Sequence, residues 1–294
     1  MISFTEALDA ALLADDQPVI TDYDVFRRAA GLIEARLWNE TPIKYLPKAW
    51  DQRRLRSLLS RLVRQQTLAQ DRDFRSGVWR VVQATRSGTA DEVACIADPF
   101  CYVSHLSAMQ RYGLTDRSPT ALHLTTPARE IWNRLRDTKI ATELTAPPED
   151  PATLLVRFGF KEKLRRRPVV VHETRHPTTP TSIRGERTRI TTIGQTFVDM
   201  LSEPLLCGGM HHVLDTWDRH AESWLEEIIP AVETTETKIA KVRAGYILSE
   251  RLGLKDPRIS AWQAFAQRGG SRKLDPDAAY APVFSEAWMI SLNV

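Results

Sequence analysis

The 294-residue chain contains only three cysteines, Cys95, Cys101 and Cys207, and no CxxC pair. An odd number without that spacing argues against a disulfide framework or a zinc ribbon and fits free thiols in a reducing compartment. No apolar run approaches the roughly 20 residues needed to cross a bilayer. The opening stretch MISFTEALDAALLADD is acidic where a secretory signal would be basic. These absences predict a cytoplasmic protein with no membrane partner.

Catalytic signatures are missing as well. The chain has no GxSxG elbow, no GxxxxGKS/T loop and no GxGxxG turn. A restriction-type nuclease needs an acid followed by Glu-x-Lys on a strand, around magnesium. Here Glu162 is followed at once by Lys163. Among seven histidines, His172 and His176 have helical ligand spacing, but Val169 to Val171 and the nearby Pro177 and Pro180 favour extended chain. His105 reads as a core or hydrogen-bonded residue. No metal, no cofactor and no enzymatic activity are expected.

Overall charge is also small, forty basic against thirty-seven acidic residues, or +3. Any nucleic-acid function must therefore come from local segregation of charge. That segregation is present: Asp215 to Glu236 holds seven acids and one arginine, whereas Asp51 to Arg80 holds eight arginines, no lysine and three acids.

Within the basic block, Leu55, Leu58, Leu59 and Leu62 fall on one side of a helical wheel, with Val63 at its edge. The remaining surface carries Arg53, Arg54, Arg56, Ser57, Ser60, Arg61 and Arg64. Guanidinium groups bond bidentately to phosphate or to guanine O6 and N7, whereas lysine offers a point charge. Thr67 to Phe74 and Val78 to Gln83 read as strands around Arg75-Ser76-Gly77, with Gly77 at a positive φ, placing Arg72, Arg75 and Arg80 on a wing. Upstream, Ser3 to Ala14 reads as one helix. Thr21 caps a second running to about Ile33, with Asp24 in the capping-box position. Helix, helix, arginine helix and hairpin is the winged helix-turn-helix order, so residues 1–85 are expected to bind double-stranded DNA. The alternative for such a helix is a solvated face kept soluble by its arginines.

Trp38 to Trp50, aromatic and proline-bearing, reads as a fixed loop packed beneath this reader. The polar stretch Ala84 to Ala90 is the expected domain boundary. Beyond it, residues 91–294 read as a larger mixed α/β domain. Helices are expected at Asp91–Ala97 and Tyr102–Tyr112, with Gly113 as C-cap, and a strand at Ala121–Thr125. Residues 153–193 read as β structure and carry ten basic residues against three acids. Arg165, Arg166, Arg167, Arg187 and Arg189 mark them as a possible second nucleic-acid surface, the alternative being a charged strand edge that resists aggregation. Helices follow at Gln195–Ser202, Met210–Glu227 and Thr234–Leu252, separated by Pro204 with Gly208-Gly209 and by Pro230. The last forty residues read as irregular. There, Gly269-Gly270-Ser271 with Arg272 and Lys273 has the composition of a phosphate-binding nest.

Four ordered stretches carry a family likeness: IADPFCYVSHLSAMQRYGLTDRSPTALHLTTP (Ile96 to Pro127), RITTIGQTFVDMLSEPLLCGGM (Arg189 to Met210), KVRAGYILSERLGL (Lys241 to Leu254) and RGGSRKLDP (Arg268 to Pro276). They resemble the successive blocks of AbiEi-type antitoxins of type IV toxin–antitoxin systems, which act in abortive infection, a form of phage defence. The resemblance implies a winged-helix repressor of its own operon that binds inverted repeats at the promoter. It also implies an α/β domain that counters a nucleotidyltransferase-like toxin encoded alongside, without a stable complex being required, and no catalysis by the antitoxin itself. On this chain the recognition helix corresponds to Arg53 to Arg64 and the wing to Thr67 to Gln83. Two other readings stand beside it: a ligand-responsive winged-helix transcription regulator without a toxin, and a magnesium-dependent nuclease with a winged-helix targeting domain.

Overall fold

The computed structural model describes residues 1–146, 151–155, 157, 159, 161–267 and 272–294. Among them the fold is mixed α and β, as the sequence pattern predicts. The chain forms two compact units. One comprises Met1–Tyr102, Thr125–Pro177 and Ser182–Arg189, and the other Val103–Leu124, Thr178–Thr181 and Ile190–Val294.

In the first unit, helix α1 (Phe4–Ala14) begins with a reciprocal cap. The Glu6 N–H donates to Ser3 Oγ at 3.3 Å, and the Ser3 N–H donates to the Glu6 carboxylate at 2.8 Å. Helix α2 (Asp22–Ala35) starts at Thr21, whose hydroxyl accepts from the Asp24 N–H at 3.1 Å and donates to the Asp24 carboxylate at 2.7 Å. Helix α3 (Gln52–Arg64) is capped by Asp51, which accepts from the Arg54 N–H at 2.8 Å. Each start falls where a short polar side chain can satisfy an otherwise unpaired helical N–H.

After α3 come strands Leu68–Gln70 and Val78–Val81, paired antiparallel with Ala69 opposite Arg80. A third strand, Val19–Thr21, lies on the other side of Val78–Val81 and puts Ile20 opposite Trp79. Three residues carry too little periodicity to announce this strand from sequence. The first strand of the expected hairpin also ends early, at Gln70 rather than Phe74.

The connector expected as a loop is partly sheet. Leu37–Trp38 pairs with Thr41–Lys44, alongside which Ile2–Ser3 runs parallel. Its last aromatic is half-buried against the core: the Trp50 indole N–H donates to the Phe26 carbonyl at 3.1 Å, and its ring lies 5.4 Å from Phe26 and 6.0 Å from Phe4.

The first unit does not stop at the hinge expected at residues 84–90. Helix α4 (Ala90–Ala97), capped by Thr89, belongs to it. So does the helix Arg129–Glu143, which the sequence reading lacked. Trp132, Ile140, Leu144, Leu154 and Leu155 are buried in the same apolar cluster as Leu8, Phe26, Leu59 and Leu62. Burial of these side chains, each stabilising by about 1.5–3 kcal/mol, extends the unit past the polar hinge. Thr153 and Leu154, read as strand, lie in the helical turn Pro151–Leu154. Val156, Phe158 and Phe160 of that expected strand lie outside the described residues. The strand Arg167–Thr174 forms as expected and pairs with Lys163–Leu164.

The second unit packs around the helix Ile193–Ser202, capped by Thr192. Gly194 brings it against the helix Leu225–Thr234 so closely that a Cβ there would stand 2.0 Å from the Glu227 carbonyl oxygen. Pro230, expected to separate helices, lies inside that second helix. Helix Lys238–Tyr246 continues into a π turn over Ile247–Arg251. Tyr102–Val103, expected as helix, is a strand, and the helix covers His105–Arg111. The last forty residues include the short strands Phe284–Ser285 and Ile290–Ser291. Trp288 sits beneath Gly245, where a Cβ would come within 2.1 Å of its ring. Arg243 is buried and donates to the Leu201 carbonyl at 2.6 Å and to the Lys273 carbonyl at 3.0 Å. It thereby ties together three stretches distant in sequence. Among the described residues, no helix is long and apolar enough to cross a membrane.

Candidate nucleic-acid interface

Helix α3 divides cleanly. Leu55, Leu58, Leu59 and Leu62 are buried, while Arg53, Arg54, Arg56, Ser57, Ser60, Arg61 and Arg64 are all exposed. The hydroxyls of Ser57 and Ser60 donate to the helix's own carbonyls at Arg53 and Arg56, at 3.2 and 2.9 Å. Their lone pairs remain available outward. Arg61 donates to the Thr5 hydroxyl at 2.9 Å, and Arg64 to the Ser60 carbonyl at 3.3 Å. Among the described residues no carboxylate forms an ion pair with any of the five arginines of this helix. A guanidinium row without ion pairs keeps most of its donors for an external acceptor, and phosphate oxygens and guanine edges have the matching geometry.

The wing adds Arg72, Arg75 and Arg80, all exposed. Gly77 takes a φ of +74°, as expected, and its carbonyl accepts from the Asp22 N–H at 3.0 Å. Behind the sheet, the Trp79 indole N–H donates to the Asp22 carboxylate at 2.6 Å. Burial raises the Asp22 pKa, while that hydrogen bond and the charge of Arg56 hold it down.

The wing tip is fastened by a segment distant in sequence. Arg165 donates to the Asp71 carboxylate at 2.8 Å and to the Asp73 carboxylate at 2.5 Å. The Arg75 N–H donates to the Gly159 carbonyl at 2.8 Å, and the Lys161 N–H to the Asp73 carbonyl at 2.7 Å. Arg165 is therefore a brace within the protein rather than a member of a second nucleic-acid surface.

The rest of that expected second surface separates too. Arg166 and Arg187 are exposed, and Arg167 is half-buried. Arg189 turns inward: its guanidinium donates to the carbonyls of Cys95 and Asp98 at 2.6 Å each and of Cys101 at 3.0 Å. In the other unit, Arg272 donates to the Phe265 carbonyl and Lys273 to the Ala278 carbonyl, both at 2.7 Å. These two are half-buried and engaged locally, so they do not form a free basic patch. Gly269, Gly270 and Ser271 of the expected phosphate nest lie outside the described residues.

Among the described residues, no group of three or more His, Cys, Asp or Glu could hold a metal ion. His105 is a buried hydrogen-bonded residue as read, with its ring nitrogens 2.8 Å from Ser104 Oγ and 2.7 Å from the Glu203 carboxylate. The features that sequence reasoning missed, the third wing strand and the Arg165 brace, both depend on partners tens of residues away.

No family model and no curated protein matches this chain. Among solved structures, the RV2827C protein from Mycobacterium tuberculosis is similar at 15% sequence identity and a TM-score of 0.46. That comparison covers 98% of this chain and 90% of the other.

Proposed function

We propose that this protein is a DNA-binding autorepressor and antitoxin of a type IV toxin–antitoxin system, set against a nucleotidyltransferase-like toxin encoded in the same operon. The observation that supports DNA binding is the exposed arginine and serine face of α3, without an acidic partner among the described residues, followed by a three-stranded wing. In this reading α3 enters the major groove. Two or three of its arginines read base edges, while Arg72, Arg75 and Arg80 bind phosphates and supply salt-dependent affinity. The antitoxin role rests on the resemblance of the sequence blocks from Ile96 to Pro276 to AbiEi-type antitoxins. The protein acts by occupying DNA and countering the toxin, and it performs no chemistry itself.

The experiment is a gel shift and footprint of the full chain on its own upstream DNA, with and without magnesium, beside the triple variant R53A/R56A/R61A. A protected, uncut inverted repeat that the variant fails to shift is the expected result. Magnesium-dependent cutting would replace the repressor with a nuclease. Absence of binding at low salt would assign the arginine face to another partner. The antitoxin role is read separately, as relief of growth arrest when the adjacent toxin gene is co-expressed with this chain.

A further inference from the structure

Away from the α3 surface, the first unit carries a half-open polar cavity of about 230 Å³ lined by α2, the segment around Cys95 to Pro99, the helix Arg129–Glu143 and the stretch leading to Arg189. Five cations line it, Arg27, Arg28, Lys139, Arg187 and Arg189, against one lining carboxylate, Asp24. Two further acids stand beside these cations. Asp15 pairs with Arg28 and lies 3.8 Å from Arg187, while Glu143 lies 2.5 Å from Lys139 and 3.6 Å from Arg27. Three ion-paired acids, with buried Asp98 beside Arg189 as a fourth, against five cations leave the lining net positive. The Arg189 guanidinium donates to three backbone carbonyls.

Beside the cavity, two buried donors have no hydrogen-bond partner among the described residues. Gln17 is 3% exposed and lines the cavity, and its Nε2 has no hydrogen-bond partner among the described residues. The Nε of Arg28 is likewise buried and unpartnered. A buried donor without an acceptor is costly, so a cationic cavity with two of them beside it is suited to an acceptor-rich ligand. The residue types narrow its chemistry. Four of the five cations are arginine, whose planar fork matches phosphate oxygens in pairs. The volume is below the roughly 300–1,000 Å³ of pockets for drug-sized ligands, which favours a diphosphate or small phosphorylated compound over a dinucleotide.

We propose that this cavity is a binding site for a small anion carrying one or two phosphate groups. The ligand's oxygens bridge Arg27 and Arg28 of α2 to Arg187 and Arg189, with the Gln17 amide donating from the floor. The site is separate from the α3 face and does not depend on what that face binds.

The test is calorimetric titration of the full chain with inorganic pyrophosphate at fixed ionic strength, with malonate as a dianion lacking phosphate. One saturable site is expected, with malonate weaker by about tenfold or more. The variant R27Q/R187Q should weaken pyrophosphate binding by about tenfold or more, whereas R53Q/R56Q, which alters α3, should leave it unchanged. Gln17→Met is the second variant: it removes the donor with little change in buried volume, and it should weaken binding while the protein still melts cooperatively. No saturable heat at millimolar pyrophosphate, equal binding of malonate, or loss of binding only in R53Q/R56Q would each overturn the proposal.

Discussion

Arg165 and Asp73 meet twice: the guanidinium Nη1 donates to Asp73 Oδ2 at 2.5 Å, and the Arg165 backbone N–H donates to the same oxygen at 2.8 Å. The same side chain also reaches Asp71, which is buried, at 2.8 Å. Arg165 and Arg166 are the two turn residues between paired Leu164 and Arg167, with φ values of +49° and +65°. Hairpin turns of that hand usually employ Asn-Gly, because side chains strain a left-handed backbone. The two carboxylates hold Arg165 in the conformation its turn requires, and Arg165 in turn fixes the wing tip.

Removing that brace should be felt as global stability. Arg165→Ala leaves the buried Asp71 carboxylate without its cation and should cost about 3 kcal/mol in urea unfolding. Arg165→Lys, which keeps the charge but not the fork, should fall between the variant and the wild type. Unchanged unfolding midpoints in both would show that the pairing contributes nothing.

On DNA, the α3 and wing arginines should behave differently. Replacing Arg53 or Arg56 with alanine should cost about 1–3 kcal/mol and relax sequence preference, whereas Arg72→Ala or Arg75→Ala should weaken all sequences alike and flatten the salt slope by about one unit. Fluorescence anisotropy across a salt series on matched and scrambled operators separates the two outcomes. Identical behaviour of all four variants would contradict the division into base-reading and phosphate-binding residues.

The start of α3 depends on Asp51. Asp51→Ala removes the acceptor for the Arg54 N–H and should lower stability by about 1 kcal/mol, with Asp51→Asn close to wild type. Chemical denaturation reads the difference, and faster amide exchange in the first turn of α3 should accompany it.

Asp199 gives the second unit a pH dependence of known sign. Burial raises its pKa to about 6 from an ordinary 3.8, while the charge of His105 and the Gln195 hydrogen bond partly oppose the shift. Below the ordinary value both folded and unfolded chains hold the proton. Between the two values the folded chain alone retains it, so this group's contribution to stability is lost as pH rises through about 6. Asp199→Asn should flatten the stability profile in that window, measured as unfolding free energy against pH. A profile as steep as that of the wild type would remove Asp199 as its source.

Packing at Gly194 should tolerate no methyl group. Gly194→Ala places a carbon against the backbone oxygen of Glu227, which cannot rotate away, and should destabilise the protein by about 3 kcal/mol. Gly113→Ala gives a contrasting case, because no neighbour lies within 4 Å and only its φ of +69° resists the change. If Gly194→Ala melted above Gly113→Ala, the close helix crossing would be wrong.

What the sequence determined by itself is local. Thr21 announces the start of α2 because a cap acts on an N–H two or three residues away, and Ser3 and Asp51 cap α1 and α3 by the same local rule. The leucine stripe of α3 announces its buried face because helical periodicity is written in consecutive residues, and Gly77 marks the turn for the same reason. Tertiary structure decided what distance hides. Val19–Thr21 becomes a wing strand only because Val78–Val81 lies beside it. The helix Arg129–Glu143 buries Trp132 and Ile140 on an otherwise charged surface, so its apolar period was faint. Arg165 and Arg189 looked like members of a basic surface, yet one braces two aspartates and the other binds three carbonyls. The sequence shows how many charges a segment carries, but where each points is set by which acceptors folding brings within about 3 Å.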